Sequence, residues 1–548
     1  MVTRFAATIL AALGLAGSSP ARHDALPARH GAAAATRDAQ PLPAIFVAGH
    51  GWGHGVGLAQ YGAYGYALHG WTYQQIVGHY FPSTTLGQAP LKRVRVLLVP
   101  RSKHVVISSP SPFVVRDGSG KAHKLPAGSQ ILGPGLRLKL AAAKQPKALP
   151  APLLFSPGSD PLTLGRRSYR GSLRVQSDGS ALQVVNVVGL EQYLWGVVPS
   201  EMPDRWPAEA LAAQAVAARS YALSHLHQGD FDLYPDTRSQ VYGGIAAESP
   251  SATQAVKETA GQVVLYNGEV ANTYFSSSSG GRTANVQDVW PSAKPTPYLV
   301  SVPDPYDTLS PYHDWGPLRF GAAVLSKRLH SPGPLMDFRA SVSPSGRVQT
   351  LTLVGTKGER TLSGAAVRTA LGLRSTWFRL GLLSLAKPTA PVLFGSSLTL
   401  SGIARGVVKV SLEALAYGGQ WKPVGPLAPK NGLVAPVVSP KVSTDYRLES
   451  GGFRSGVVHV AVAPLVRLAA GADGVSVSGS ARPLLPGAGV QVQRQGASGW
   501  ETVARTTIGS DGSFSTPVDL SPGTYRALVA AGRGFAIGLS DPMTVVAP

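Results

Sequence analysis

The residue most suited to acid chemistry is Glu201, within Val197-Val198-Pro199-Ser200-Glu201-Met202-Pro203 and ahead of Trp206. Its sequence neighbours are largely apolar, and prolines on both sides stiffen the backbone. A carboxyl held among apolar groups has its ionised form disfavoured, which suits a general acid near neutral pH. Spacing alone leaves another interpretation open, in which Glu201 is exposed and pairs with Arg205 or helps to begin a helix.

A second candidate segment is dense in glycine, with five glycines among residues 49–57. Such a segment cannot be a helix interior, and it allows backbone to approach a ligand closely. Trp52 is available to stack on a sugar, and the segment continues through Gln60 and Tyr61. His50 and His54 without cysteine or nearby acids make a weak zinc site, so we predict no metal. The alternative is a set of structural turns.

Two further segments carry polar groups. Ser276 to Ser279 followed by Gly280-Gly281 predicts a loop whose hydroxyls and amides bind polar ligand groups, although most Ser/Gly runs are linkers. It lacks the Gly-x-Ser-x-Gly pattern of a serine nucleophile. Residues 236–244, which include Gln240 and Tyr242, read on their own as a turn entering a strand.

These segments need helices and strands to position them. A helix is predicted from Pro207 through Ser224, because proline suits the first helical position and small residues follow. Further helices are predicted at 251–259, 322–329 and 363–371. Alternation of apolar and charged residues predicts β-structure over 92–190, with hairpin turns at 118–120 and 177–179.

Past residue 388 the sequence repeats itself. Leu398-Thr399-Leu400-Ser401-Gly402 is echoed by Val475-Ser476-Val477-Ser478-Gly479, and Trp421 and Trp500 hold equivalent places. Short alternating strands with regular turns predict two small β-sandwich modules.

The N-terminus has the layout of a secretory signal. Arg4 precedes an apolar run and the small-residue segment Gly17 to Ala21. We therefore predict a signal peptide at 1–21, a linker at 22–43, and a secreted protein associated with the cell wall. An uncleaved anchor is the alternative.

The chain of 548 residues carries a formal net charge of +21 and no cysteine, which excludes disulfides and thiolate chemistry. Residues 91–147 hold twelve lysines or arginines against one acid, Asp117. Such a field attracts anionic polymers. No nucleic-acid motif is present, so an anionic wall polymer is the predicted partner, and a basic surface without a specific partner is the alternative.

Together the segments resemble the SpoIID/LytB domain of bacterial sporulation and cell-wall proteins. The resemblance is most specific from 190 to 222. The matching residues are Tyr169-Arg170-Gly171, Val185-Asn186, Leu190 to Leu194, Gly196 to Pro203, Trp206-Pro207, Glu209-Ala210-Leu211, Gln214 to Arg219, Tyr221-Ala222, Gln240-Val241-Tyr242, Ser277 to Gly281 and Leu371 to Thr376.

The resemblance implies lytic transglycosylation of peptidoglycan glycan strands, preferably strands stripped of stem peptides, with no cofactor. The catalytic acid of the family lies in the Pro-Ser-Glu-Met-Pro motif, so Glu201 inherits that role. The other implied contacts to the strand are Arg219, Gln240, Tyr242, Ser277, Ser278, Trp52, His54, Gln60 and Tyr61.

Two departures from the family pattern stand out. The Gly-His-Gly-Trp-Gly-His-Gly motif usually closes the domain, whereas here it opens it, which indicates a circular permutation. Sporulation members can carry a Cys/His zinc site before Gln-Val-Tyr, whereas this chain has Arg238-Ser239 there.

We therefore expect an α+β SpoIID-like catalytic domain at 44–386 with a β-rich basic subdomain, followed by β-sandwich modules at 389–464 and 465–548. Two other functions stay open. One is a non-catalytic wall-binding protein that enhances an N-acetylmuramoyl-L-alanine amidase. The other is a structural adhesin in which the large domain is inert.

Overall fold

The computed structural model describes residues 43–88, 93–140, 144–407, 409–532 and 534–546. Within these ranges the protein combines eight α-helices with many small sheets, so the α+β prediction is confirmed in that coarse form. The predicted signal peptide and nearly all of the predicted linker lie outside the described residues, as does Lys92 of the basic segment. No helix in the described ranges has the length and apolar character needed to cross a membrane.

The first described region carries the glycine-rich motif and two helices. Its elements are β1 (Ala44–His50), β2 (Leu58–Ala59), α1 (Gln60–Leu68), α2 (Tyr73–Tyr80) and β3 (Thr85–Gln88). A capping box begins α2: the Thr72 hydroxyl accepts from the backbone of Gln75, and the Gln75 side chain accepts from the backbone of Thr72. Because α1 follows β2 directly, the last residues of the glycine-rich motif begin a helix.

A β-rich region follows. Its strands are β4 (Arg93–Ser102), β5 (Val105–Ser109), β6 (Phe113–Arg116), β7 (Ala122–Leu125), β8 (Gly128–Leu132), β9 (Arg137–Leu138), β10 (Lys147–Ala148), β11 (Leu153–Ser156), β12 (Leu162–Leu164), β13 (Arg167–Tyr169), β14 (Ser172–Ser177) and β15 (Leu182–Gly189). A six-stranded sheet in the order β4-β15-β14-β11-β6-β7 packs with the sheet β13-β12-β5-β8 around a hydrophobic core. The predicted turns at 118–120 and 177–179 connect β6 to β7 and β14 to β15.

The helical region comes next. Its elements are α3 (Leu190–Glu201), α4 (Ala208–Ser224), α5 (Pro250–Glu258), β16 (Gln262–Tyr266), β17 (Glu269–Val270), β18 (Phe275–Ser276) and α6 (Val286–Val289), with 3₁₀ turns at Ile245–Ala247 and Pro305–Leu309. The small side chains of α4 are almost all buried, which lets α1, α2, α3 and α5 pack around it. The helix predicted from Pro207 to Ser224 is thus the central element of this region.

The last part of the predicted catalytic domain is a third unit. Its elements are β19 (Asp314–Gly321), α7 (Ala322–Leu329), β20 (Leu335–Val342), β21 (Val348–Gly355), β22 (Gly358–Ser363), α8 (Gly364–Leu371) and β23 (Phe378–Leu385). Strand β1 lies between β19 and β23 and pairs antiparallel with both. The two ends of residues 44–386 are therefore adjacent, which is the geometry that a circular permutation requires; the permutation itself stays a prediction.

The first repeat is built from short strands. Its strands are β24 (Val392–Leu393), β25 (Leu398–Thr399), β26 (Gly402–Arg405), β27 (Val410–Ala416), β28 (Lys422–Leu427), β29 (Leu433–Val434), β30 (Val437–Val438), β31 (Thr444–Ser450), β32 (Phe453–Arg454), β33 (Val458–Val460) and β34 (Val462–Ala463). Strands β26 and β29 extend the sheet β19-β1-β23, and Arg405 pairs with Asp337 at 2.5 Å. This repeat is thus joined to the preceding unit through a shared sheet.

The second repeat has its own sheets. Its strands are β35 (Leu465–Ala470), β36 (Ser476–Arg482), β37 (Gly489–Gly496), β38 (Gly499–Thr507), β39 (Ser513–Pro517), β40 (Gly523–Ala530), β41 (Gly538–Leu539) and β42 (Met543–Val545). The order β38-β37-β40-β41 matches the order β28-β27-β31-β32 of the first repeat, as the sequence repetition predicts.

Candidate active site

Glu201 is the last residue of α3, and its side chain is half-buried. The backbone leaves the helix at Met202, which is extended (φ −127°, ψ 143°) ahead of Pro203. An acidic side chain in the last turn lies at the negative end of the helix dipole, which disfavours its ionised form. Its neighbours in sequence Met202 and Trp206 are buried.

Two groups hold the carboxyl. The backbone N–H of Val241 donates to Glu201 Oε1 at 3.1 Å, and the side-chain amide of Gln60 donates a second hydrogen bond. Burial raises the pKa of Glu201 above its ordinary value, and these two hydrogen bonds lower it by less. Since the protonated form gains, the carboxyl is suited to donate a proton near neutral pH.

Gln60 reaches Glu201 from the glycine-rich motif, because it is the first residue of α1 and α1 packs against α4. The Gln60 side chain is only 7% exposed, so its amide is committed to the protein. The structure therefore joins the motif at 49–62 to the Pro-Ser-Glu-Met-Pro segment.

The motif is bonded along its length to the Ser/Gly loop. Trp52 and Ser278 exchange backbone hydrogen bonds of 2.9 and 3.1 Å, and the Tyr61 N–H donates to the Ser277 carbonyl at 3.0 Å. A Cβ on Gly51 would lie 2.7 Å from the carbonyl of Ser278, and one on Gly57 would lie 2.2 Å from that of Tyr274. These glycines admit close approach of another protein segment, where the sequence suggested close approach of a ligand.

Asp307 holds the Ser/Gly loop in place through hydrogen bonds. Its fully buried carboxyl accepts from the Ser278 hydroxyl at 2.7 Å, from the N–H groups of Ser279 (3.0 Å) and Gly280 (2.8 Å), and lies 3.1 Å from His313 Nδ1. Sequence reasoning missed this residue, because a single aspartate between Tyr306 and Thr308 belongs to no local motif.

A second buried acid, Asp304, lies close to Asp307. Burial and the nearby Asp307 raise the pKa of Asp304 to about 7, and the neighbouring Ser279 and Tyr80 hydroxyls lower it by less. A Cβ on Gly62 would lie 2.4 Å from both Asp304 carboxyl oxygens. The glycine at position 62 therefore makes room for this acid inside α1.

Three of the predicted contacts to the glycan strand lie in the core beneath Glu201. Arg219 is fully buried and pairs with Glu191 through hydrogen bonds of 2.9 and 2.6 Å. Gln240 donates to the Ala218 carbonyl at 3.2 Å, and the Tyr242 hydroxyl donates to Asn186 at 3.0 Å. Each side chain has a protein partner, so the structure places all three below the surface of the site.

Trp52, Tyr61 and Ser277 are half-buried on the open side. The Tyr61 ring packs on Trp206 at 4.9 Å, and Trp52 meets Tyr312 edge to face at 4.4 Å. Ser278 faces inward to Asp307 instead. The accessible part of the predicted set is therefore an aromatic surface on one side of Glu201.

His54 lies between Tyr274 and Trp290, with ring centroids 5.8 and 5.2 Å away. Its Nδ1 accepts from the Val56 N–H at 3.0 Å. Burial, with Arg368 and Arg347, lowers the pKa of His54 to about 3, so the ring is neutral at physiological pH. His50 is engaged elsewhere, with Nδ1 2.6 Å from Asp314.

Tyr221 is a further group near the acid that sequence reasoning assigned no role. Burial raises its pKa, and the nearby Tyr274 and the charge of Glu201 add to the shift. The hydroxyl thus remains a neutral donor close to Glu201. The signal in the sequence is its place in the Tyr221-Ala222 match to the family, two residues after Arg219 on α4.

Comparison with known proteins bears on the same region. Residues 178–266 match the SpoIID family, described as stage II sporulation protein. Stage II sporulation protein D of Bacillus subtilis is 34% identical over 223 residues, covering 36% of this chain and 62% of that protein. The amidase enhancer of Bacillus subtilis is 43% identical over 115 residues, covering 21% of this chain and 15% of that protein.

An uncharacterized protein of Brachyspira hyodysenteriae is 41% identical over 147 residues, covering 26% of this chain and 39% of its own length. The chain thus matches between 15% and 62% of the length of these relatives. A tandem repeat from the extending region of a large adhesion protein aligns at 17% identity over 36% of this chain and 63% of its own, with a TM-score of 0.16, and supports no inference. The matches to stage II sporulation protein D and the amidase enhancer confirm the resemblance of this chain to the SpoIID/LytB family, with the family segment at residues 178–266.

Proposed function

We propose that the protein is a peptidoglycan lytic transglycosylase that cleaves glycan strands, preferably peptide-stripped, and leaves 1,6-anhydro-N-acetylmuramic ends. The observation that carries this proposal is the setting of Glu201. Its carboxyl is half-buried at a helix end, its pKa is raised by burial, and two fixed donors orient it.

The reaction needs one carboxyl in two successive roles. Protonated Glu201 gives its proton to the glycosidic oxygen as the bond from C1 of N-acetylmuramic acid breaks. The C6 hydroxyl oxygen of the same sugar then forms a bond to C1, and its proton returns to the Glu201 carboxylate. The departing sugar gains a hydroxyl, the muramic residue closes an anhydro ring, and no water is consumed.

A glycosidase that uses water needs a second carboxyl within roughly 5–9.5 Å of the first. In the proposed reaction the C6 hydroxyl of the muramic residue takes the place of that water, so a single carboxyl suffices. Tyr61, Trp52 and Ser277 are the strand contacts that we propose on the accessible side.

We also propose that the basic β-rich region holds the enzyme on anionic wall polymers. Every described lysine and arginine of 91–147 is exposed except Arg95, which pairs with Asp232 at 2.6 Å. A field of exposed cations attracts a polyanion over a distance of about 10 Å at 0.1 M salt. In this proposal the protein is exported, and the two C-terminal repeats extend or anchor it in the wall.

A second candidate function is assistance to a wall amidase without cleavage. The observation that favours it is the 43% identity over 115 residues to the Bacillus subtilis amidase enhancer. The two functions differ in one result, because an enhancer binds strands and leaves them intact.

The test is mass spectrometry of purified, peptide-stripped strands after incubation with the native protein, with Glu201→Gln and with Glu269→Gln. Glu269 is an exposed glutamate on β17 and serves as the matched control. We expect new 1,6-anhydro ends with the native protein and Glu269→Gln, and a fall of about 10²–10⁴-fold with Glu201→Gln.

The outcomes separate the candidates. Reducing ends in place of anhydro ends would mean that water attacks, and a second carboxylate would have to act. Intact strands with binding retained in all three proteins would support the amidase-enhancing function. Calorimetry provides the folding control, since Glu201→Gln removes a partly desolvated charge and is not expected to lower the melting temperature at pH 8.

A further inference from the structure

A cavity of about 370 Å³ opens beside the aromatic surface of the candidate site. It lies between the chain that enters β19 and the chain that leaves α8. Its lining residues are Pro311, Tyr312, Asp314, Trp315, Gly316, Leu318, Gly372 and Arg374. Small-molecule sites are typically 300–1,000 Å³, so the cavity has room for a small part of a polymer, such as one sugar.

Arg374 is the cation of this cavity. Its guanidinium lies 4.1 Å from the ring centroid of Tyr312 and 5.3 Å from that of Trp52, and its carbonyl accepts from the Gly53 N–H at 3.1 Å. Two rings and a backbone contact thus hold the charge in place. Among the described residues no ion pair involves Arg374, and the one acid in the lining, Asp314, is paired with His50 at 2.6 Å.

A series of protein groups links the cavity to the acid. Gln60 bonds Glu201, and Tyr61 follows Gln60 directly. Burial raises the pKa of Tyr61, and the nearby Tyr312 raises it further. Tyr312 in turn lies against Arg374, whose guanidinium is 4.1 Å from the ring centroid. A polymer that contacts Tyr61 and Arg374 together would therefore lie beside the acid.

We propose that Arg374 binds the carboxylate of an N-acetylmuramic acid residue that carries a free lactyl group, with Tyr312 and Trp52 against the sugar. This inference rests on the proposed function, since it assigns the charged part of the same strand. A planar guanidinium binds a carboxylate through two parallel hydrogen bonds, and the face of an aromatic ring suits the apolar C–H face of a sugar.

The contact of Arg374 with the lactyl group depends on whether a stem peptide is attached to the glycan strand. The lactyl group of muramic acid ends in a carboxylate when no stem peptide is attached, and in a neutral amide when one is. Arg374 then distinguishes stripped from peptide-bearing strands by charge as well as by size. It is a specificity residue in this proposal and has no part in proton transfer.

The experiment measures binding on the Glu201→Gln background, so that cleavage does not interfere. The three ligands are peptide-stripped strand oligomers, the same oligomers with their lactyl carboxylates converted to neutral methylamides, and β-1,4-linked N-acetylglucosamine oligomers. The added substitutions are Arg374→Gln, Arg374→Lys and, as a matched control, Arg379→Gln. Arg379 is exposed on β23, five residues along the same chain.

We expect the parent to bind the carboxylate oligomer about tenfold or more tighter than the two neutral ligands. Arg374→Gln is expected to remove that preference and to leave binding of the neutral ligands within about twofold. Arg374→Lys should keep part of the preference, since it keeps charge and loses the planar pair of bonds. Arg379→Gln should keep all of it.

Equal losses on charged and neutral ligands would overturn the inference, because they would show a structural role only. So would a parent that binds all three ligands equally. If Arg374→Gln fails to fold, the Arg374→Lys ratio decides alone. Charge discrimination combined with intact strands for the native protein would sink the transglycosylase proposal and leave this site in place.

Discussion

Glu201 and Asp307 both carry carboxyls whose pKa is raised by burial, yet they occupy opposite situations. A carboxylate has about four acceptor positions. Asp307 is contacted by four groups, with Ser278, Gly280 and His313 at Oδ2 and Ser279 at Oδ1. Glu201 receives two hydrogen bonds and stays partly open to solvent.

The difference distinguishes a carboxyl that stabilises the fold from one that is open to a ligand. A fully buried carboxyl that already has four protein partners is out of reach of a substrate, so Asp307 serves to hold the loop in place. A carboxyl with half its positions free, fixed by rigid donors, is able to give a proton to a ligand and take one back. Burial alone does not identify the acid, because Asp304 and Asp307 are more buried than Glu201.

The largest effect on stability is therefore expected at Asp307. Asp307→Asn replaces an acceptor with a group that donates on one side, so at least one of the N–H groups of Ser279 and Gly280 loses its partner. We expect a loss of about 3 kcal/mol in the free energy of unfolding. Calorimetry against Asp519→Asn, an exposed aspartate, measures it. A shift no larger than that of the control would remove the contrast between the two carboxyls.

Asp304 gives the next largest effect and a pH dependence. Its folded pKa of about 7 lies above the ordinary value of 3.8, so burying its ionised form lowers the stability of the protein. This loss of stability is absent below pH 4 and complete above pH 7. Asp304→Asn removes that cost. We expect it to stabilise the protein by roughly 2 kcal/mol at pH 8 and to have little effect at pH 4.

Thermal unfolding of the Asp304→Asn and native proteins across pH 4–8 supplies the test. An equal difference at both ends of the range would mean that Asp304 does not titrate there. Loss of stability at pH 8 would mean that the interactions of its carboxylate with Tyr80 and Ser279 outweigh the burial of its charge.

The helices show how far local sequence reaches. The predictions at 207–224, 251–259, 322–329 and 363–371 correspond to α4, α5, α7 and α8, because each has a start signal followed by helix-forming residues. α1 was missed because glycines discourage a helix prediction. Gly62 and Gly65 lie inside it all the same, where Asp304 and Tyr306 leave no space for a Cβ.

The site shows the same limit more sharply. Apolar neighbours and a stiff backbone made Glu201 a candidate, and the Pro-Ser-Glu-Met-Pro motif of the family implied the acid role; both signals are local in sequence. The bond from Gln60 and the support from Asp307 join segments far apart in sequence, and no single segment carries a sign of the other. The contacts of Gln60 and Asp307 form because α1 packs against α4 and the 3₁₀ turn Pro305–Leu309 packs against α1. Arg219, Gln240 and Tyr242 have the residue types of ligand contacts, and only the fold places their side chains in the core.

The smallest expected effect concerns the pKa of Glu201, the carboxyl that stays partly open to solvent. The Gln60 hydrogen bond lowers the pKa of Glu201, so Gln60→Ala should raise that pKa further. A general acid must be protonated in the free enzyme, so kcat/KM falls as pH rises through its pKa. The variant is expected to move this alkaline limb to higher pH, with less than a tenfold loss at the optimum. Gln254→Ala, an exposed glutamine on α5, is the control. A limb unmoved, or moved to lower pH, would show that Gln60 does not act on the protonation of Glu201, and its amide would then belong with Asp307 among the groups that only hold the fold.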